Sequence, residues 1–244
     1  MAGTFSLGTS GFAYQEWKGI FYPPDLPSSR MLDFYAERFN SVEINYTYRK
    51  VPAERTVRRW ATQVPEGFRF TLKANMRITH IKRLRDVSSD LGEFVALARL
   101  LDDRLGSILV QLPPTLEHDD SLIRSFLDTL PPDVRFAMEF RHASWTACRT
   151  LLADRGVAWC VTHTEEQPAA PSAIPDDSFV YLRLRKDSYE DQELRDWAAS
   201  ISGAIERGRD VFCYFKHEDE ATGPRFAVRM GELVAEISRG IVTR

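Results

Sequence analysis

Eight short β-rich runs, at residues 5–8, 42–45, 68–74, 107–112, 135–140, 157–162, 179–184 and 211–215, limit what this chain can become. Their starts lie 22 to 39 residues apart, too far for hairpins and suited to strand-plus-helix units. The segments between carry helical spacing: Leu32, Tyr35, Ala36 and Phe39 follow i, i+3, i+4, i+7, as do Ile123, Phe126, Leu127 and Leu130. Boundary residues agree. Asp90 with Glu93 reads as a capping box, Ser144 as an N-cap, and Gly208 as a stop after a helix ending near Arg207. Pro168, Pro171 and Pro175 break the pattern between the sixth and seventh runs, where a loop is expected in place of a helix.

Alternating strands and helices imply a parallel sheet. Eight units in 244 residues suggest a closed α/β barrel of the (β/α)8 type, one domain over residues 1–244, with the helix after the sixth strand missing or irregular. An open doubly wound sheet is the competitor, but no Gly-x-Gly-x-x-Gly follows the first strand. With 32 Lys+Arg against 35 Asp+Glu, the net charge is −3, which excludes a chain that coats nucleic acid through bulk charge. No apolar run approaches the ~20 residues of a membrane span. Cys148, Cys160 and Cys213 are odd in number and widely spaced, as expected of reduced thiols in a cytoplasmic protein.

Period 2 assigns strand faces. Phe68, Phe70 and Leu72 form an apolar set, which turns Lys73 inward. The same logic turns in Glu43 and Asn45, Leu109 and Gln111, Glu139 and Arg141, Tyr181 and Arg183, and Tyr214 with Lys216. On the sixth strand both Ala158/Cys160/Thr162 and Trp159/Val161/His163 are possible inward sets. Most of these polar positions fall at the C-terminal strand ends, where barrel enzymes build their sites. Lys73, Arg141, Arg183, Arg185 and Lys216 against Glu43 and Glu139 leave a local +3 in a chain of −3. Such an excess calls for an anion: phosphate, phosphodiester or carboxylate.

The chemistry expected is therefore that of an enzyme, with hydrolysis, lyase or isomerase reactions all compatible. Glu43 and Glu139 are the acid/base candidates and His80 and His142 possible proton carriers; Asn45, Lys73, Gln111, Arg141, Arg183 and Lys216 would bind substrate, with Tyr14 and Trp17 stacking on it. Structural readings compete: ion pairs that seal the barrel, histidines that hold the rim, and first-loop aromatics packed as a hydrophobic lid. No cofactor is expected. A divalent metal on Glu43, Glu139, His163 and His217 is the less favoured alternative, lacking His-x-His or His-Glu-x-x-His spacing. Lys73, Arg77, Lys82, Arg83 and Arg85, with no acid among residues 73–85, offer another reading: nucleic-acid binding beside the aromatic first loop. A barrel that binds a small anion without turning it over is the third.

Several stretches resemble the YecE-like family, catalogued as domain of unknown function seventy-two. They include Gly8-Thr-Ser-Gly-Phe-Ala-Tyr14, Trp17-Lys-Gly-Ile-Phe-Tyr-Pro23, Val42-Glu-Ile-Asn45, Phe70-Thr-Leu-Lys73 and Ile78-Thr-His80. Gln111-Leu-Pro-Pro114, Glu139-Phe-Arg-His-Ala-Ser-Trp145 and Tyr214-Phe-Lys-His217 follow in family order. The resemblance implies the same barrel and the same site positions, and no particular reaction. It departs in two places: Tyr181-Leu-Arg-Leu-Arg-Lys-Asp-Ser-Tyr189 lacks the family's histidine, and Lys216-His-Glu-Asp-Glu replaces its usual turn.

Overall fold

In a computed structural model, which describes residues 2–216 and 220–242 and side chains through residue 240, the eight expected runs are strands. These are β1 (Phe5–Thr9), β2 (Ser41–Ile44), β3 (Arg69–Lys73), β4 (Leu105–Gln111), β5 (Phe136–Glu139), β6 (Ala158–His163), β7 (Phe179–Leu184) and β8 (Asp210–Phe215). They order β1-β8-β7-β6-β5-β4-β3-β2, and the ladders between β1 and β8, β3 and β4, β4 and β5, β5 and β6, and β7 and β8 are parallel. Helices α1 (Met31–Ala36), α2 (Tyr46–Arg49), α3 (Glu54–Gln63), α4 (Ser88–Ala98), α5 (Asp120–Leu127), α6 (Arg149–Asp154), α7 (Asp191–Glu206) and α8 (Thr222–Val242) alternate with the strands. This is the (β/α)8 class. Between β6 and β7 only the 3-10 turn Pro171–Ala173 forms, as the prolines require.

The chain packs as two compact units, Met1–Val42 with Val161–Arg244, and Glu43–Cys160. Within the second, Phe70 stacks on Trp60 of α3, while the Thr71 and Ser107 hydroxyls meet at 3.1 Å on the opposite face of β3 and β4. Trp159 stacks on Phe140 and lies near Arg149 of α6. Within the first unit, His163 packs on Trp197 of α7. Trp159 and His163 therefore face helices, and Ala158/Cys160/Thr162 is the inward set of β6.

β1 and β2 stand at the two ends of the strand order, and side chains join β1 to the segment entering β2. Leu7 N–H donates to Asn40 Oδ1, whose amide donates to the Phe5 carbonyl. Thr9 N–H donates to the Tyr35 hydroxyl at 2.7 Å, and that hydroxyl donates to the Ser41 carbonyl at 3.1 Å. Gly8 is needed here, because a Cβ would lie 1.9 Å from the Ser41 oxygen.

Two boundary expectations are corrected. The first turn of α4 begins at Ser88 after Val87, so Asp90 does not cap it and instead binds Arg77 and Lys82. The cap after β5 is His142, whose Nδ1 accepts the Ser144 N–H, because a 3-10 turn starts at Ala143. All three thiols are free and buried, and burial pushes Cys148 up to about 11. Among the described residues no helix is long and apolar enough to cross a membrane.

Candidate functional site

In the unit of residues 43–160 the C-terminal ends of β3, β4 and β5 carry most of the candidates. Lys73 lies in register with Leu109, and Gln111 lies in register with Glu139. That register brings the Gln111 amide to 2.6 Å from Glu139 Oε1, and both side chains are buried. Arg141 adds its Nε at 3.2 Å from the same oxygen, while nearly half of its side chain remains in water. A buried carboxylate held by a neutral donor and a solvated cation is fixed in direction.

Lys73 is half-buried, with Nζ 4.4 Å from the centre of the Tyr48 ring. The loop after β2 is tied to it: Thr47 Oγ1 donates to the Lys73 carbonyl, and the Asn75 amide donates to the Thr47 and Tyr48 carbonyls. Tyr48 also meets the His80 ring edge-on at 5.1 Å. His80 sits in the wide π-helical turn Arg77–Ile81, with Nδ1 bonded to the Thr79 hydroxyl. Burial lowers its pKa, and the positive charges of Lys73, Arg141 and Arg83 lower it further. Both causes favour its neutral imidazole.

Glu43, on β2, is fully buried. Asn45 follows it, half-buried, with a buried Oδ1 that accepts no hydrogen bond. A buried acceptor without a donor is costly unless a ligand supplies one. His142 is committed to its cap, with Nδ1 bonded to the Ser144 hydroxyl at 2.8 Å. His118 packs edge-on against Trp145, so it does not stand free in solvent as its loop position suggests.

Three of the five cations in the basic run after β3 meet carboxylates. Arg77 and Lys82 share the Asp90 carboxylate, and Arg85 reaches Asp119. These pairs cross from loop to helix and are invisible in the run itself.

In the other unit Arg183 is buried on β7 opposite Tyr214, and Lys216 pairs with Asp187 at 2.9 Å. Arg185 N–H donates to the His163 carbonyl. His163 is buried beneath α7, with Nε2 3.4 Å from Glu193; burial lowers its pKa and Glu193 opposes that. Within its unit it packs on Trp197 of α7. Among the described residues no three His, Cys, Asp or Glu side chains are grouped as a metal requires; His217 lies outside the described residues. Trp17 is fully buried against Tyr14, Phe21 and Tyr22, which leaves no ring face for a ligand to stack on. Tyr14 is half-buried and donates its hydroxyl hydrogen to the Ser10 carbonyl. The first-loop aromatics thus pack on one another and on Phe34 of α1.

Sequence reasoning missed the contacts of Tyr48 with Lys73 and His80 and that of Arg83 with Thr115. An aromatic three residues beyond Asn45 was the available signal for the first; the second has no local signature.

The family model described as "Protein of unknown function DUF72" matches residues 6–243. The protein YecE of Escherichia coli K12 is 34% identical over 117 residues, covering 48% of this chain and 43% of YecE. The match thus spans less than half the length of that relative. YunF of Bacillus subtilis is 21% identical over 262 residues, 91% of this chain and 93% of YunF. A crystal structure of a DUF72 family protein from Thermotoga maritima superposes with a TM-score of 0.84 at 23% identity, covering 95% of this chain and 99% of that one. One from Enterococcus faecalis gives 0.73 at 18% identity, covering 96% and 98%. Both likenesses support the fold.

Proposed function

Because this chain belongs to the DUF72 family, whose description names no function, we propose an activity from its own side chains: an enzyme acting on an anionic substrate at the C-terminal ends of β3–β5. Lys73 and Arg141 hold the anionic group, whether phosphate, phosphodiester or carboxylate. Glu139 takes or gives the proton, with Glu43 as the second carboxylate. His80, kept neutral, donates a hydrogen bond or relays a proton. Asn45 accepts from a substrate hydroxyl or amine. Every residue in this reading belongs to the unit of residues 43–160.

The observation that carries it is a buried Glu139 carboxylate held by Gln111 at 2.6 Å and by the part-exposed Arg141 at 3.2 Å, on strand ends adjoining the one that carries Lys73; the positive charges of Lys73, Arg141 and Arg83, after burial, also disfavour protonation of His80. Cations crowded together repel one another, and an anion relieves that cost. The same positions could seal a barrel, but a sealing pair has no use for an accessible guanidinium or an unsatisfied acceptor at Asn45. The nucleic-acid alternative loses some support because Arg77, Lys82 and Arg85 of the basic run already meet Asp90 or Asp119.

The test is calorimetry with inorganic phosphate and acetate on the full chain. Lys73→Met and Arg141→Gln should each weaken binding about tenfold or more, the worth of a charge-assisted hydrogen bond. Against a panel of phosphorylated and carboxylated metabolites, Glu139→Gln should abolish turnover while affinity is kept. If the wild-type chain binds neither anion, or Glu139→Gln only unfolds the protein, the reading fails.

A further inference from the structure

Arg83 differs from its basic neighbours in what holds it. Arg77, Lys82 and Arg85 are matched by carboxylates. The Arg83 guanidinium donates to the Thr115 carbonyl at 2.6 Å and approaches the Thr115 hydroxyl at 3.4 Å; among the described residues no carboxylate pairs with it. Neutral oxygens orient a guanidinium without cancelling its charge, and a ligand can take it over without breaking an ion pair.

The backbone beneath it is also unusual. Arg83, Leu84 and Asp86 have φ of +50, +66 and +49°, a left-handed conformation that L-residues with side chains adopt at a cost. The Leu84 N–H donates to the Ile78 carbonyl and the Leu84 side chain is buried, so packing imposes the turn. Glycine or asparagine would bear this geometry more easily than arginine. Strain of this kind persists where the side chain is used. Thr115 lies four residues beyond Gln111, the last residue of β4, so the Arg83 guanidinium is held in the loop leaving the strand end that binds Glu139, and its charge, with those of Lys73 and Arg141, disfavours protonation of His80. Three cations against the two carboxylates of the site, Glu43 and Glu139, leave +1 before a ligand binds.

We propose that Arg83 is a third anion ligand of this site, swinging from Thr115 onto a doubly charged group, so that the substrate class is phosphate monoester or diphosphate and not carboxylate. This rests on the anion-site reading above. A carboxylate brings one charge, which a single bidentate arginine satisfies. A phosphoryl group brings up to two charges and three oxygens, enough for two arginines and a lysine.

Calorimetry on the full chain with pyrophosphate, inorganic phosphate and acetate separates the two ideas. Arg83→Gln should weaken pyrophosphate and phosphate about tenfold or more, while any acetate binding changes less than about twofold. Arg83→Gly relieves the left-handed strain, so Tm should hold or rise while the same affinity is lost. If Arg141→Gln loses pyrophosphate and Arg83→Gln does not, this inference falls and the site stands. Arg83→Gly with a lower Tm and intact affinity would show a loop clasp only. Acetate binding without phosphate binding keeps the site and overturns the dianion; binding of none of the three overturns both.

Discussion

Replacing Tyr35 by Phe deletes one oxygen at the place where β1 meets the segment entering β2. The ring keeps its neighbours, with Phe39 at 5.0 Å and Phe12 at 6.1 Å between centres. What disappears is the acceptor for the Thr9 N–H at 2.7 Å, the contact with the Thr9 hydroxyl at 2.9 Å, and the donor to the Ser41 carbonyl at 3.1 Å. The Thr9 hydroxyl still donates to the Gly11 carbonyl. Thr9 and Ser41 are fully buried, so water cannot replace the lost oxygen without a rearrangement. Each orphaned backbone group costs about 1–3 kcal/mol, and the smaller desolvation cost of phenylalanine returns part of that. The net loss should be about 2–4 kcal/mol. At roughly 2–4 °C per kcal/mol for a chain of this length, Tm should fall by about 4–16 °C. Urea unfolding followed by tryptophan fluorescence, fitted with a shared m-value, gives the difference directly. A loss below about 0.5 kcal/mol would mean that these bonds contribute nothing net, and that packing, Asn40 and the β8 ladder hold β1 in place.

Three further outcomes follow from the charges. Arg141→Gln or Arg83→Gln should raise the His80 pKa, as each removes a positive charge that disfavours its protonation; imidazole NMR titration reads the shift, and an unmoved resonance would refute the convergence. His80 and His163 both have lowered pKa values, first through burial, so the folded state binds fewer protons than the unfolded one below about pH 6.5. Stability should therefore fall as pH drops from about 7 toward 5, before carboxylates such as Asp90 begin to protonate, and His163→Phe should flatten that slope in urea midpoints. Asp90→Asn removes the carboxylate shared by Arg77 and Lys82, so the variant should gain salt-sensitive affinity for single-stranded DNA in a filter assay; equal binding by wild type would revive the nucleic-acid reading.

The fold was legible because its signals are local. Strand spacing, helical period and the three prolines after β6 each depend on residues near one another in sequence, and all eight strands stand within a few residues of where the periods place them. The strand faces were legible for the same reason: Phe70 does meet Trp60, and Thr71 does meet Ser107 on the other side. β6 was not, since Trp159 and His163 alternate with residues equally suited to either face; only the contacts with Phe140 and Trp197 decide it.

Sequence alone therefore determined the class of fold, the strand ends where polar groups gather, and the identities of Lys73, Gln111, Glu139 and Arg141 as candidates. Tertiary structure decided who meets whom. Gln111 and Glu139 are 28 residues apart and touch because two parallel strands align there. It also decided that Trp17 is core, that Asp90 binds two cations, and that Arg83 rests on a neutral oxygen in a left-handed turn. Periodicity reports the direction a side chain leaves its own backbone, whereas a charge's partner depends on which distant segment folding brings within a few ångströms.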